Sequence, residues 1–305
     1  ARTGHAQGLF NLGNSYYSGQ GVEQDTALAI KKWQRAAKKN HPASAWRLAV
    51  LHASGDGVPQ NWDQAEALCS PLAANGHTNS LLLLGEIATR RNDLTTAKTY
   101  WEQAAKNGSP LAKDLLQLAA WRHLKPQAGK YAYVEVDHLY QGWNNCGPTS
   151  TTMLARYNKS TAGPYDVKRL CPRSPIGTGT DWTDLVAAGK TLGQPWKLVT
   201  FTNDDAGFEE GLNVLRSHLD AQRPVVIDFT VISQRNGNTR RSGHTLLMVG
   251  YNTALNQFVL KNPNQPSPGI QLTTAEQLKK DWTSGGYSYV AKGKAARPLI
   301  VLKEL

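Results

Sequence analysis

Residues 141–150 read QGWNNCGPTS and lead from a loop into a predicted helix, with Cys146 at the junction. Pro148 suits the first turn of a helix, where no N–H partner is needed. The helix dipole and the free N–H groups at a helix N-terminus favour the thiolate form of a cysteine. Because the thiolate is the nucleophile, this position favours a catalytic role for Cys146. The Cys-Gly-Pro sequence alone fits a buried structural cysteine better.

A second segment, residues 243–251 (GHTLLMVGY), places His244 at the start of an apolar run that predicts a β-strand. A turn follows, and residues 257–260 predict the returning strand. Folding this hairpin about Thr253 places residue 244 opposite residue 262, and antiparallel neighbours lie within about 5.5 Å at Cα. Asn262 is therefore predicted to accept a hydrogen bond from the His244 ring. Together the two segments predict a nucleophile, a base and an orienting residue.

Gln141 lies five residues before Cys146 and is predicted to complete the site. Its amide N–H, with the backbone N–H of Cys146, would stabilise the oxyanion of a tetrahedral intermediate. Each such donor lowers the barrier by about 3–4 kcal/mol. Asn144 and Asn145 remain alternative donors, since both precede the thiol directly.

Alternatives to the base and to the orienting residue also remain open. His138 precedes Cys146 in a predicted loop and is a second candidate base. Asn264 replaces Asn262 if the hairpin register slips. Cys171 precedes Pro172 in a loop and is interpreted as an incidental, exposed thiol.

The order of these residues resembles the bacteriocin-processing, double-glycine leader cysteine peptidases: Gln, then Cys-Gly-Pro, then Gly-His before an apolar strand, then Asn-Pro. The resemblance covers about residues 135–295 and includes GTGT at 177–180 and LDAQRPVVIDF at 219–229. It implies a papain-like fold, with Cys146 as nucleophile, His244 as base, Asn262 as orienting residue and Gln141 as oxyanion donor. Two departures stand out. The family commonly has Asp where this chain has Asn262, and Gln141 is one residue closer to the cysteine than in papain.

The first part of the chain is a repeat array with a period of 36 residues, which shortens to 32 at the last step. A period of this size predicts a helical solenoid. The third unit lacks the Gly-x-Gly-Val turn, which accounts for the four missing residues. Recurring positions include Leu12-Gly13, Leu48-Ala49 and Leu84-Gly85; Gly19, Gly21 and Val22 with Gly55, Gly57 and Val58; Trp33, Cys69 and Trp101; and His41 and His77.

Residues 5–120 resemble Sel-one-like repeats, which are relatives of the tetratricopeptide repeat. The resemblance implies a scaffold for protein interaction and no chemistry of its own. His41 and His77 are repeat equivalents and are interpreted as structural positions. Residues 121–134 change character, and Lys125-Pro126 and Gly129 break the helical pattern. We therefore expect the domain boundary there.

Composition and charge narrow the function further. The net charge is +11, with 34 basic and 23 acidic residues, and the excess is spread over both parts of the chain. No nucleic-acid motif, Cys/His zinc spacing or apolar run of about 18 residues is present. Three cysteines argue against a disulfide framework and leave at least one thiol free.

The sequence thus predicts an α-solenoid repeat domain (1–130) and an α+β papain-like cysteine peptidase domain (131–305). The expected function is cleavage of a protein or peptide through a Cys146 thioester, without metal or organic cofactor. The repeats are expected to recruit a protein partner, with no nucleic acid and no membrane span. Two alternatives are an acyltransferase or deamidase of the same fold, and a catalytically inactive binding and assembly protein. A bacterial periplasmic or secreted location is expected because the first residues resemble a trimmed mature start.

Overall fold

The computed structural model describes residues 2–141, 145–174, 179–235, 238–282 and 296–302. The chain divides into two compact units. The first comprises Ala1–Trp121, His138–Trp143 and Gln265–Pro268; the second comprises Arg122–Asp137, Asn144–Asn264 and Gly269–Leu305. The predicted domain boundary after residue 130 remains a prediction, because the chain passes between the two units at more than one point.

The first unit contains seven helices among its described residues, as the repeat period predicts. Short turns join them, and each helix packs against the next one along the chain. The helices are α1 (Arg2–Ser18), α2 (Thr26–Ala37), α3 (Pro42–Ser54), α4 (Trp62–Ala74), α5 (Thr78–Arg90), α6 (Leu94–Lys106) and α7 (Pro110–Leu118).

Each repeat pairs a small residue on its first helix with a larger side chain on its second. A Cβ added to Gly13 would lie 2.5 Å from Nε1 of Trp33, and one added to Gly85 would overlap the Trp101 indole. The glycines therefore let two tryptophans pack at the helix crossing. In the middle repeat, Ala49 and Cys69 occupy the equivalent positions and both are fully buried.

The repeated histidines begin helices, which agrees with the prediction of a structural role. His41 is the N-cap of α3 and His77 is the N-cap of α5. In each, Nδ1 accepts a hydrogen bond at 3.3 Å from the backbone N–H of the serine three residues later. This contact satisfies one of the N–H groups that a helix leaves unpaired at its start.

The second unit combines one sheet with helices, as the α+β prediction requires. Its strands are β1 (Tyr131–Tyr133), β2 (Trp196–Thr202), β3 (Val225–Arg235), β4 (Asn238–Asn252), β5 (Gln257–Lys261), β6 (Ile270–Thr273) and β7 (Ala296–Leu302). Its helices are α8 (Cys146–Tyr157), α9 (Pro164–Arg169), α10 (Trp182–Thr191), α11 (Asp205–Asp220) and α12 (Ala275–Asp281). The sheet order is β2-β7-β3-β4-β5-β6, and β1 pairs with β4. The paired strands are antiparallel.

The hairpin of β4 and β5 differs in register from the prediction. Leu247 pairs with Lys261 and Met248 with Leu260, and the register shifts between Met248 and Gly250. The expected opposition of residues 244 and 262 was therefore wrong by two positions, because a bulge inserts one residue and the turn is centred later. A shift of two positions keeps side chains on the same face of a sheet, since their direction alternates with period two.

The core of the second unit lies between α8 and the central strands. The run of residues 246–249 in β4 is completely buried, and α8 packs mainly against this strand. The hydroxyl of Ser150 donates a hydrogen bond to the carbonyl of Thr245 at 2.9 Å, which ties the helix to the strand. The helix start is thereby placed beside the beginning of the apolar run.

Among the helices that the structure describes, none combines the length and the apolar character that crossing a membrane would require.

Candidate active site

Cys146 is the first residue of α8, as the sequence predicts. The helix places its free N–H groups and its positive dipole end at the thiol, which favours the thiolate. Asn145 is the N-cap, but its side chain makes no capping hydrogen bond. It is 1% exposed, and neither atom of its amide has a hydrogen-bond partner among the described residues. An amide donor is therefore available directly beside the nucleophile.

His244 and Asn262 meet, as predicted. Nε2 of His244 lies 2.8 Å from Oδ1 of Asn262. The backbone N–H of Asn264 also donates to this oxygen, at 3.0 Å, and the Asn262 Nδ2 donates to Oε1 of Gln271 at 2.7 Å. These two contacts fix the orientation of the Asn262 amide. Its oxygen can only accept, so the His244 proton lies on Nε2 and Nδ1 is left to face the thiol.

Asn262 reaches His244 because the chain leaves the sheet after Lys261. Continuing the observed register would place Asn264 opposite His244. Instead, the Asn262 backbone N–H donates to the carbonyl of Gly269 at 2.7 Å and its side chain turns towards the histidine. Asn264, the alternative orienting residue, contributes its backbone N–H to the Asn262 oxygen and makes no recorded contact with the ring.

The thiol and the imidazole shift each other's pKa in the direction of an ion pair. Burial is the largest influence on Cys146 and alone would raise its pKa. The hydrogen bond and charge of His244, with the backbone N–H of Thr245, outweigh it and bring the pKa below its ordinary value. For His244, burial would lower the pKa. The bond and charge of Cys146, the bond to Asn262 and the charge of Asp228 raise it above the ordinary value.

Two residues near this pair escaped the sequence prediction. Asp228 lies on β3, where its Cα partner on β4 is Thr245, the neighbour of His244. An acidic residue inside the apolar run VVIDF was the available signal. Gln271 on β6 holds the Asn262 amide, and nothing in its sequence context distinguishes it from other strand glutamines.

A pocket of about 530 Å³ opens beside His244 within the second unit. Its walls combine an apolar base with polar residues of β6 and α12. The lining residues are Phe229, Thr230, Val231, His244, Leu246, Asn262, Gln271, Gln277, Lys280 and Asp281. Its lining is apolar with a few polar groups, which is typical of ligand-binding pockets.

The remaining candidates are distributed as follows. Gln141 belongs to the first unit, and its Oε1 is buried without a hydrogen-bond partner among the described residues; its role as oxyanion donor remains a prediction. His138 lies in the same unit, where its Nε2 is 3.0 Å from the carbonyl oxygen of Gln265. That contact is typical of a structural histidine.

Asn144 and residues 177–178 of the GTGT segment lie outside the described residues. Cys171 is buried, which corrects the expectation of an exposed loop thiol.

Comparison with known families decides the classification. Residues 133–290, more than half of the chain, match the Peptidase_C39 like family. The chain belongs to the Peptidase_C39 like family. The first part of this Peptidase_C39 like protein matches the Sel1 repeat three times, at residues 6–41, 42–77 and 80–109. The protein therefore combines a Sel1-type helical repeat region with an α+β domain of the Peptidase_C39 like family.

Individual relatives match parts of this Peptidase_C39 like protein. The exopolysaccharide production negative regulator of Rhizobium meliloti (strain 1021) is 32% identical over 129 residues, which covers 36% of this chain and 46% of the regulator. The chain thus spans less than half the length of that relative. A Sel1 repeat protein from Oxalobacter formigenes is 27% identical, with a TM-score of 0.34, over 37% of this chain and 89% of that one. Xylellain, a cysteine protease from Xylella fastidiosa, is 10% identical, with a TM-score of 0.40, over 59% and 88%.

Proposed function

We propose that this protein is a cysteine peptidase that cleaves a protein or peptide through a thioester on Cys146. The observation that carries the proposal is the position of His244. Its Nε2 is bound to the Asn262 oxygen at 2.8 Å, and its ring shares a hydrogen bond with the Cys146 thiol at the start of α8. This arrangement gives a nucleophile, a base and an orienting residue in the relation that acyl transfer requires.

The chemistry follows from these contacts. The Cys146 proton passes to Nδ1 of His244, and the thiolate attacks the carbonyl carbon of the substrate. The tetrahedral intermediate collapses when His244 returns the proton to the leaving amine, so the C–N bond breaks and a thioester remains. Water then attacks the thioester with His244 as base, releasing the acid and regenerating the thiol. Asn262 holds the ring in the tautomer that each proton transfer needs.

The oxyanion of the intermediate needs two donors. The backbone N–H of Cys146, at the helix start, supplies the first. Gln141 is our candidate for the second, and the buried, unpartnered amide of Asn145 is the alternative. Either side chain would stabilise the negative oxygen by the same type of hydrogen bond.

The pocket beside His244 is suited to the part of the substrate that receives the proton. Phe229, Val231 and Leu246 offer apolar surface, while Lys280 and Asp281 add charge at the side formed by α12. A peptide segment with an apolar side chain next to the cleaved bond fits this composition. The Sel1 repeats would bind a protein partner or the substrate itself.

The test is alkylation of Cys146 by iodoacetamide across a pH series, followed by mass spectrometry of the Cys146 peptide. In the native chain, Cys146 should react well below its ordinary pKa of about 8.5. His244→Ala should remove this reactivity at low pH. The buried Cys171 serves as an internal control in the same samples. Reaction like an ordinary thiol in both chains, or none in either, would contradict the peptidase proposal.

An acyltransferase or deamidase would show the same alkylation profile, because the thioester step is common to all three reactions. Products separate them. A peptidase gives two peptides with a new carboxylate and a new amine, a transferase gives an acylated acceptor, and a deamidase changes a side-chain amide to an acid. Mass spectrometry of products from a peptide library would distinguish these outcomes.

A non-catalytic regulator is the second candidate. It is favoured by the name of the Rhizobium relative, which is a negative regulator, and by the uncharged Asn262 at the orienting position. In this case the Sel1 repeats would carry the function and the cysteine would not react. For either candidate we propose a periplasmic or secreted location, which fractionation of cells expressing the full-length protein would test.

A further inference from the structure

Asp228 is a buried carboxyl group that the reaction above does not use. It is 1% exposed and lies on β3 in a run of buried residues, 225–229. In the antiparallel ladder Asp228 pairs with Thr245, and the next pair is Phe229 with His244. Asp228 is therefore one position removed from His244, on the strand next to it.

The carboxyl group lies on the face of the sheet that α8 covers. Directly paired residues of an antiparallel ladder point to the same face, so Asp228 shares a face with Thr245. A Cβ added to Gly147, the second residue of α8, would lie 3.7 Å from the Thr245 hydroxyl. Asp228 thus points to the side of the sheet on which the helix carrying Cys146 begins. By the same rule His244, paired with Phe229, points to the opposite face, so Asp228 acts on the imidazole from the adjacent ladder position and without side-chain contact.

Among the described residues, no ion pair or strong hydrogen bond offsets the burial of this carboxylate. Neither oxygen has a partner at full hydrogen-bond geometry among the described residues. The polar groups that face it are the backbone N–H of Phe229 and the hydroxyl of Thr245. A carboxylate buried in this way is costly to keep. Its effect on the site must therefore be exerted through charge.

The electrostatic partners of Asp228 are the two reacting groups. Of the elements packed on β3, β4 contributes His244 and α8 contributes Cys146, and the Asp228 charge raises the pKa of both. Among the described residues, α12 places Lys280 and Asp281 around the pocket that Phe229 and Val231 line, on the opposite face. In β7, Arg297 is bound to the carbonyls of Lys279 and Trp282.

We propose that Asp228 is a positioning residue that supplies, from the neighbouring strand, the negative charge that Asn262 lacks as the partner of His244. The inference rests on the proposed function, because it requires that Cys146 and His244 act as a pair. In this proposal one residue accepts the hydrogen bond from His244 and another residue supplies the negative charge. Asn262 fixes the ring through Nε2, and Asp228 stabilises the imidazolium from across the ladder, without contact with the substrate.

The division has a specific consequence for pH dependence. Burial raises the pKa of Asp228 to about 7, opposed by the charge of His244 and by the two donors. The group is therefore protonated well below pH 7 and ionised well above it. The alkaline limb of the profile is the upper change in rate, at which His244 loses its proton and the Cys146 thiolate loses its charged partner. The Asp228 charge acts on His244 only in the upper part of the profile. Loss of its charge should thus affect the alkaline limb more than the acid limb.

The experiment is the iodoacetamide profile of Cys146 in the native chain, in Asp228→Asn and in Asp228→Asn with Asn262→Asp. Asp228→Asn keeps the shape of the side chain and removes its charge. We expect its alkaline limb to move to lower pH by about one unit, the effect of a nearby charge on an ionisable group. A carboxylate at position 262 should move the limb back, because it restores a charge beside the imidazolium.

The outcomes are distinguishable. If Cys146 of the native chain is alkylated with the pH dependence of an ordinary thiol, the proposed function and this inference are both contradicted. A native profile with low-pH reactivity and an unchanged alkaline limb in Asp228→Asn would overturn the inference alone. If circular dichroism shows that Asp228→Asn is unfolded, Thr245→Val is the second variant. It removes a donor to the carboxylate and should shift the alkaline limb in the same direction by less, and no shift would overturn the inference.

Discussion

At the scale of single residues, the buried carboxyl of Asp228 makes stability depend on pH. Its pKa is about 7 in the folded chain and near the ordinary 3.8 when unfolded. Between these values the folded state holds a proton that the unfolded state has lost. The stability associated with this proton is complete below 3.8 and is lost as the pH rises through about 7, by up to about 4 kcal/mol.

We therefore predict that Asp228→Asn increases the free energy of unfolding above pH 7 and has little effect below pH 3.8. Urea unfolding at several pH values, followed by circular dichroism, measures the difference. Asp220→Asn is a suitable control, because Asp220 accepts a hydrogen bond from the Tyr251 hydroxyl at 2.6 Å and should lose stability instead. An equal effect of Asp228→Asn at both pH extremes would contradict the raised pKa.

The oxyanion donor is a second question at this scale. We predict that Gln141→Ala lowers the rate of Cys146 acylation by p-nitrophenyl acetate by about 10²-fold, since one donor to the intermediate is lost. Asn145→Ala is the matched variant, because both remove an amide close in sequence to the thiol. The release of p-nitrophenolate in the first turnover is the measurement. A loss confined to Asn145→Ala would transfer the role to that residue.

The sequence predicted some site residues and missed others for identifiable reasons. Three residues stand in a recognisable local context: Cys146 at a helix start, His244 at the start of an apolar run, and Asn262 in an Asn-Pro turn. Asp228 lies next to His244 only through pairing with a strand that follows it in the chain. Gln271 acts through a side-chain contact nine residues from Asn262. Tertiary contacts of this kind leave no periodic signal.

At the scale of elements, the repeats were easier to predict than the hairpin. The repeat period predicts α1–α7 directly, because the helices of each unit pack in the same way. The register of β4 and β5 depends on a shift between Met248 and Gly250. A bulge adds one residue without any required residue type, so counting from an assumed turn gives the wrong partner. The predicted contact between Asn262 and His244 is still present, because the chain leaves its pairing with β4 after Lys261 and the Asn262 side chain turns towards the histidine.

The small-to-large pairing in the repeats gives a prediction for α3 and α4. Cys69→Trp should destabilise the chain by about 1–3 kcal/mol, because the larger ring meets Ala49, where the other repeats have glycine. Adding Ala49→Gly should recover part of this loss, although a helical glycine itself costs about 1 kcal/mol. A double-mutant cycle by urea unfolding measures the coupling. Additive effects of the two changes would refute the pairing.

At the scale of the whole molecule, the three cysteines should behave differently towards a thiol reagent. Burial raises the pKa of Cys69 to about 12 and that of Cys171 to about 11, and both side chains are inaccessible. Cys146 has a lowered pKa and is less buried. The thiolate is the reactive form, so one thiol should dominate in the native chain.

We predict that Ellman's reagent at neutral pH titrates one fast thiol per native chain and three per chain in urea. Absorbance at the wavelength of the released thiolate gives both the number and the rate. Cys146→Ser should lose the fast phase, whereas Cys171→Ser should keep it. Two or more fast thiols in the native chain would contradict the burial of Cys69 and Cys171.

The glycine–tryptophan contacts of the repeats also bear on how the chain can change through gene duplication. In two of the repeats a glycine leaves the space that a tryptophan of the same unit fills: Gly13 for Trp33, and Gly85 for Trp101. A copied or deleted unit would carry both members of its pair, so the array can lengthen or shorten without matching substitutions elsewhere. The site around Cys146 and His244 offers no such freedom, since its parts lie about a hundred residues apart in the chain. The proposed partner binding can therefore diversify by copying units, while the proposed chemistry can change only one residue at a time.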